Sequence, residues 1–243
     1  MTAITPIVKT SESNLAFDLG EAVRHLAERD EVLKELIVAL RPFTINTSDQ
    51  ASPYEELARA IVYQSISGKA ARTIFARIKA LGEDGRLPTP ERMLKLPAKK
   101  LRKAGLSGAK VLAMKDLAKK TIEGIVPTHN EALKLSDQEL VDRLVSVRGI
   151  GAWTVEMFLI FRLGRPDVLP IHDLGVKKGW SVAYGKKHIP KPKDLLKFGE
   201  RWRPYRTIAS WYMWRAFERA GYKVTNKIRQ RKPPKRKKSN SKS

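Results

Sequence analysis

The segment Val147–Val176, VRGIGAWTVEMFLIFRLGRPDVLPIHDLGV, concentrates the residue types best suited to chemistry. Gly149 and Gly151 flank one isoleucine between two helical patterns. Glycine permits left-handed backbone angles and leaves amides uncovered by side chains. Amides beside a helix start, reinforced by the helix dipole, favour an anion such as a phosphate. Two helices joined by a tight anion-binding hairpin fit this pattern, and so does an ordinary helix C-cap followed by a short turn. Downstream, the extended loop RPDVLPIHD ends on Asp173. A carboxylate there can stabilise a developing positive charge or activate a water molecule, and it can equally cap the helix LGVKKGW.

Those residues must be placed by helices, because the pattern is helical almost throughout. DLGEAVRHLAERD aligns Leu19, Ala22, Val23 and Leu26 on one stripe, and DEVLKELIVAL stops near Pro42. SPYEELARAIVYQSIS opens with Ser52, Pro53 and Glu55, the signature of a capping box with proline at the first helical position. SGKAARTIFARIKAL, TPERMLKL and PAKKLRKAG follow, the last ending on Gly105 as a C-cap does. SGAKVLAMKDLAKKTIEG ends at Gly124. SDQELVDRLVSV carries a second capping box, Ser136 with Glu139, and turns Leu140, Leu144 and Val147 inward. AWTVEMFLIFRLG is apolar on almost all faces, which marks a buried central helix. No alternating strand pattern and no long repeat interrupts the series. The fold class is all-α.

Composition narrows the partners. The 243 residues carry 48 Lys+Arg against 25 Asp+Glu, a formal net charge of +23. The segment 223–243 holds ten basic residues and no acid, yet the remaining 222 residues still carry 38 basic against 25 acidic groups, +13. A basic body as well as a basic end favours a polyanion, nucleic acid before an anionic membrane surface. No apolar run is long enough to span a bilayer and the N-terminus does not read as a secretory signal. With no cysteine, disulfides, thiolate zinc sites, cysteine nucleophiles and iron–sulfur clusters are excluded.

The run LVSVRGIGAWTVEMFLIFRLGRPDVLPIHDLGV resembles the helix–hairpin–helix DNA glycosylases, whose motif ends in a Gly/Pro-containing loop and a catalytic aspartate. Within them it is similar to the 3-methyladenine DNA glycosylase II and alkylbase glycosylase branch. SPYEELARAIVYQSISGKAARTIFARI, LRKAGLSGAKVLAMKDLA and FGERWRPYRTIASWYMWRAFE extend the similarity over roughly 15–222. The resemblance implies two helical subdomains, 52–135 and 16–51 with 136–222, a cleft between them and a hairpin at 147–151. It leaves 1–15 as a flexible N-terminus and 223–243 as a basic, disordered tail.

Carried over residue by residue, Asp173 matches the catalytic aspartate. Trp153 stands where bifunctional relatives place a Schiff-base lysine; Lys177 and Lys178 are at the wrong motif positions for that attack. The implied enzyme is therefore monofunctional, uses water and leaves an abasic site. A base extruded from the stack would meet a pocket built from Trp153, Met157 and Trp214, although Trp202, Trp211 and Trp214 on a helical pattern also suit a core. An aromatic wall favours a cationic methylpurine. Relatives insert a side chain from the loop matching Gln64, Ser65, Ile66 and Ser67; serine at position 65 is a poor wedge, so a neighbour inserts or the gap is filled less tightly. Gln64 either contacts the orphaned strand or bonds to backbone.

The hairpin, Arg148, Gly149, Ile150 and Gly151, would grip phosphate, with Lys110 on the opposite backbone or solvated. A monovalent cation, Na⁺ or K⁺, would sit on the carbonyls of Val145, Val147 and Ile150; no other cofactor is implied. His172 departs from the aspartate of several relatives, and it either tunes Asp173 or faces solvent.

The implied partner is double-stranded DNA with damaged bases, bound by a monomer, in the bacterial nucleoid or a nucleus. Three functions remain open: excision of alkylated purines, excision of neutral lesions such as hypoxanthine or etheno-adenine, and a non-catalytic DNA-binding module. Asp173 argues against the last. RQRKPPKRKK adds phosphate affinity or acts as a nuclear localisation signal.

Overall fold

The computed structural model describes residues 15, 17–40, 42–45, 47 and 51–230, with side chains as far as Gly221. The remainder of the 1–15 segment and residues 231–243 of the basic tail lie outside the described residues. Among the described residues the fold is all-α, as the periodicity predicts. The helices are α1 (Leu19–Arg29), α2 (Glu31–Ala39), α3 (Pro53–Tyr63), α4 (Gly68–Lys79), α5 (Pro90–Lys95), α6 (Ala98–Ala104) and α7 (Gly108–Ile122). They continue with α8 (His129–Lys134), α9 (Asp137–Leu144), α10 (Ala152–Phe161), α11 (Leu174–Ala183), α12 (Pro192–Gly199) and α13 (Arg206–Gln230). Helix α13 thus runs eight residues into the segment set apart as a tail.

The helix ends follow from local chemistry. Ser52, Ser67, Thr89, Ser107, Thr128 and Ser136 each accept a hydrogen bond from the backbone N–H three residues on, satisfying a donor that has no partner within the helix. The capping box at Ser136 and Glu139 forms, and an unpredicted one forms at Thr128 and Glu131. The box expected at Ser52 forms by half. Ser52 caps, but Glu55 turns to the Lys79 ammonium at 3.3 Å, because α4 packs alongside α3 and presents a cation.

Two packed groups emerge. Helices α3 to α7 pack mainly on one another; α1, α2, α9 and α10, and α11 with α13, form the rest, with α10 against α3 joining the halves. The closest crossing is α11 on α13. A Cβ on Gly179 would stand 1.8 Å from the Met213 carbonyl oxygen, so only a residue without a side chain permits this backbone approach. One turn earlier, a Cβ on Gly175 would lie 2.7 Å from the Trp214 ring.

Polar ties fix the extended loop to the same crossing. Thr207 donates its hydroxyl to the Arg165 carbonyl at 2.6 Å and accepts from Val168 N–H at 3.0 Å. Asp167 receives the Arg206 guanidinium at 2.7 Å and pairs with Arg203. The loop that carries Asp173 is therefore riveted to the start of α13 before it reaches α11. On the far side, buried Asp30 caps α2 and also accepts the Tyr184 hydroxyl at 2.6 Å and the Trp202 indole at 3.0 Å.

Candidate active site

Asp173 is both a cap and the centre of a donor cage. It precedes α11 in extended conformation, and its Oδ1 accepts Val176 N–H at 2.8 Å. The same oxygen accepts Trp214 Nε1–H from α13 at 2.8 Å. Its Oδ2 accepts Trp153 Nε1–H from the first turn of α10, also at 2.8 Å. All three partners are donors, an arrangement suited to the carboxylate, and Oδ2 keeps a lone pair available. Capping and a chemical role therefore coexist at this residue.

Beside it opens a cleft of about 790 Å³. Trp153, Met157, Phe158 and Phe161 form its α10 wall, and Tyr63, Gln64 and Ser65 the wall from α3 and the following loop. Trp153 and Met157 line the cleft. Trp214 does not: it stacks on Phe161, with ring centroids 5.7 Å apart, and its indole nitrogen is engaged by Asp173. Trp202 and Trp211 are core. Sequence reasoning missed Tyr63, with Arg59 over its ring at 4.9 Å, and the Glu56–Arg162 ion pair at 2.7 Å, all lining the same cleft. An acid four residues after the α3 cap and an arginine just beyond α10 look like ordinary helix ends until tertiary packing joins them.

The loop and the hairpin meet. Gln64 donates its amide Nε2–H to the Gly149 carbonyl at 2.9 Å. Ser65 adopts φ 58°, left-handed and uncommon for a residue with a side chain, and Ile66 is exposed. Ser67 caps α4 through Ala70 N–H. Lys110, assigned above to phosphate or solvent, does something else. Its ammonium donates to the carbonyls of Val62 and Gln64, both at 2.7 Å, and burial lowers its pKa. It braces the loop from below.

In the hairpin, Gly149 is left-handed with φ 80°, whereas Gly151 is extended and serves as the N-cap of α10, so only one of the two glycines uses the left-handed freedom. Arg148 N–H donates to Asp116 Oδ2 at 2.7 Å and Ile150 N–H to the Val147 carbonyl at 3.0 Å. Among the described residues this leaves the amides of Gly149 and Gly151 without an internal acceptor. Asp116 also pairs with Lys120 at 2.9 Å, and Lys120 reaches the Ser146 carbonyl. Desolvation raises the Asp116 pKa, but the Arg148 N–H and Lys120 outweigh it and the net shift is downward. Of the remaining candidates, His172 is exposed, and Lys178 lies over Phe217 at 5.3 Å.

One acid stands out in α10. Glu156 is flanked by apolar residues on both sides, and its Oε2 is buried without a hydrogen-bond partner. Burial first, and the Asp173 charge second, push its pKa up to about 7. A single acid in AWTVEMFLIF was the signal for it in the sequence. Among the described residues no cluster of His, Asp or Glu is arranged to hold a metal ion through side chains, and no helix is long and apolar enough to cross a membrane.

Residues 58–204 match the family described as HhH-GPD superfamily base excision DNA repair protein. DNA-3-methyladenine glycosylase 1 of Schizosaccharomyces pombe is 38% identical over 222 residues, covering 91% of this chain and 96% of that protein. DNA-3-methyladenine glycosylase of Saccharomyces cerevisiae is 30% identical, over 80% of this chain and 78% of its own. Among solved structures, S. pombe 3-methyladenine DNA glycosylase in complex with abasic DNA superposes with a TM-score of 0.72 at 40% identity, covering 80% of this chain and 95% of that one. DNA-3-methyladenine glycosidase from Bacillus halodurans gives 0.76 at 30% identity, over 83% and 91%.

Proposed function

We propose, for a chain that belongs to the HhH-GPD superfamily of base excision DNA repair proteins, that it excises alkylated purines from double-stranded DNA. The reaction is hydrolysis of the N-glycosidic bond, and it leaves an abasic site. The observation that carries this is the Asp173 carboxylate, caged by Trp153, Trp214 and Val176, with Trp153 also lining an aromatic cleft. Relatives named for 3-methyladenine excision, and one relative solved on abasic DNA, support the same substrate class.

The chemistry follows from the cage. As the bond to the base lengthens, positive charge builds on the deoxyribose, and a fixed anion stabilises that state more than the ground state. The free lone pair of Asp173 Oδ2 serves the sugar or the attacking water, while the donors on both oxygens hold the group in place. The extruded base enters between Trp153 and Tyr63, where aromatic faces favour a cationic methylpurine. Such a base is already a good leaving group. Trp153 occupies the position of a lysine nucleophile in bifunctional relatives, and the indole supplies no amine, so water completes the reaction without strand cleavage.

The gap left in the duplex is filled from the Gln64–Ser67 loop, with exposed Ile66 as its apolar wedge. A phosphate beside the lesion sits on the amides of Gly149 and Gly151 at the start of α10. A monovalent cation fits the hairpin. The carbonyls of Val145 and Ile150 accept no internal hydrogen bond among the described residues, and that of Val147 accepts one and keeps a lone pair. Na⁺ or K⁺ held by these oxygens would supply positive charge beside a DNA phosphate.

The test is single-turnover release of methylpurines from methylated duplex DNA by the wild type and Asp173→Asn. Release by the wild type, with binding but no release by the variant, is expected. Release by neither, with tight binding by both, points to the binding module; release of hypoxanthine or etheno-adenine alone points to neutral lesions.

A further inference from the structure

We propose that Glu156 is a second carboxyl of this site, a positioning residue that sets the negative potential around Asp173 and thereby the rate at which the base departs. The inference rests on the glycosylase reading above, and it goes beyond it by adding a group that no part of that mechanism uses.

The geometry makes the group hard to explain otherwise. Glu156 follows Trp153 by one turn of α10 and precedes Met157, so it sits on the helix that supplies both a donor to Asp173 and the cleft wall. Its Oε2 is buried and unpartnered. An anion buried without a donor is costly, and leucine or glutamine would suit packing better.

Asp173 is the charged group that acts on Glu156. Charges on the other elements packed against α10 are otherwise engaged. On α3, Glu55 pairs with Lys79, Glu56 with Arg162, and Arg59 lies over Tyr63. On α9, Asp137 pairs with Arg165, Glu139 closes its capping box, Asp142 accepts from Gln138, and the Arg143 charge acts on Glu131 and Glu139. With burial and Asp173 acting in the same direction, Glu156 titrates near neutrality, at about 7.

The consequence is directional. Below neutrality Glu156 is a neutral acid and Asp173 acts alone. Above it, Glu156 has released its proton to water, and its charge deepens the negative potential around Asp173 in which the cation on the sugar forms. Base release therefore quickens as pH rises through 7. A gain of about ten-fold corresponds to ~1.4 kcal/mol of added transition-state stabilisation.

The experiment is the single-turnover rate constant for release of 7-methylguanine from duplex DNA, from pH 5.5 to 8.5, for wild type and Glu156→Gln. Glutamine keeps the shape and cannot ionise. The ratio of the two rate constants cancels any titration of the DNA. A ratio that climbs about ten-fold around pH 7 is expected; a flat or falling ratio overturns the proposal. No release by the wild type at any pH would instead bring down the glycosylase reading, and this inference with it. Abasic-DNA binding by the variant reports its folding. If it fails to fold, the wild-type carboxyl carbon followed by NMR decides: a midpoint near 7 supports the assignment, and a midpoint at the ordinary glutamate value overturns it.

Discussion

Trp214 and Asp173, 41 residues apart, meet through a 2.8 Å hydrogen bond from the indole nitrogen to Oδ1. The bond exists because α11 and α13 cross closely enough for the two elements to share one site. Asp173 therefore depends on helix packing as well as on its own loop.

Trp214→Phe tests that dependence. Phenylalanine keeps the stacking on Phe161 and removes the donor. Base release should fall roughly ten- to hundred-fold, the scale of losing one oriented hydrogen bond to a charged group, about 1.5–3 kcal/mol. Abasic-DNA affinity should change little. An unchanged rate constant would mean that Trp153 and Val176 suffice to orient the carboxylate.

Gly179→Ala tests the crossing itself. A methyl 1.8 Å from the Met213 carbonyl oxygen cannot be accommodated without separating the helices. We expect a loss of about 3 kcal/mol or more in urea unfolding, at or beyond the upper range for overpacking. Gly175→Ala meets a side chain instead, the Trp214 ring at 2.7 Å. It should cost less stability and more activity, because the ring it displaces is the Asp173 donor.

Gln64→Ala removes the bond from the loop to the Gly149 carbonyl, and Lys110→Met removes the brace under the loop. Both should weaken binding to lesion-containing duplex several-fold. Chemistry at saturating enzyme should be nearly intact, since neither residue touches Asp173. A selective loss of the chemical step, with binding preserved, would count against a bracing role.

Asp116→Asn probes the hairpin through pH. The Asp116 pKa is lowered in the folded state, so its stabilisation is present above the ordinary carboxylate range and is lost as pH falls through the depressed value. Wild type should exceed the variant by about 1 kcal/mol near pH 7, and the gap should close on acidification below about pH 4. The check is urea unfolding of both proteins at pH 7 and in steps below pH 4; a gap independent of pH would show that the Lys120 pairing is immaterial.

Local rules made much of this chain legible. The capping serines, the stop at Gly105 and the inward face of Leu140, Leu144 and Val147 depend on neighbours within one or two turns, where sequence spacing and spatial distance coincide. Asp173 was visible for the same reason: it stands alone between a proline-marked loop and a helix start. Trp153 and Met157 came from the positions that the family resemblance assigns to a pocket, and the tight turn from Gly149.

Tertiary structure decided what lies far apart in sequence. It withdrew Trp214 from the cleft and made it a donor, since only the α11–α13 crossing brings residue 214 to residue 173. It turned Lys110 inward, because two carbonyls at the end of α3 offer a partner that spacing does not reveal. It gave Glu55 to Lys79 and joined Glu56 to Arg162 across the cleft. The sequence by itself determined most of the helices and their caps, and it singled out the carboxylate at the start of α11. Packing determined the partners of each polar group, because a hydrogen bond is set by distance in space and the chain writes only distance along itself.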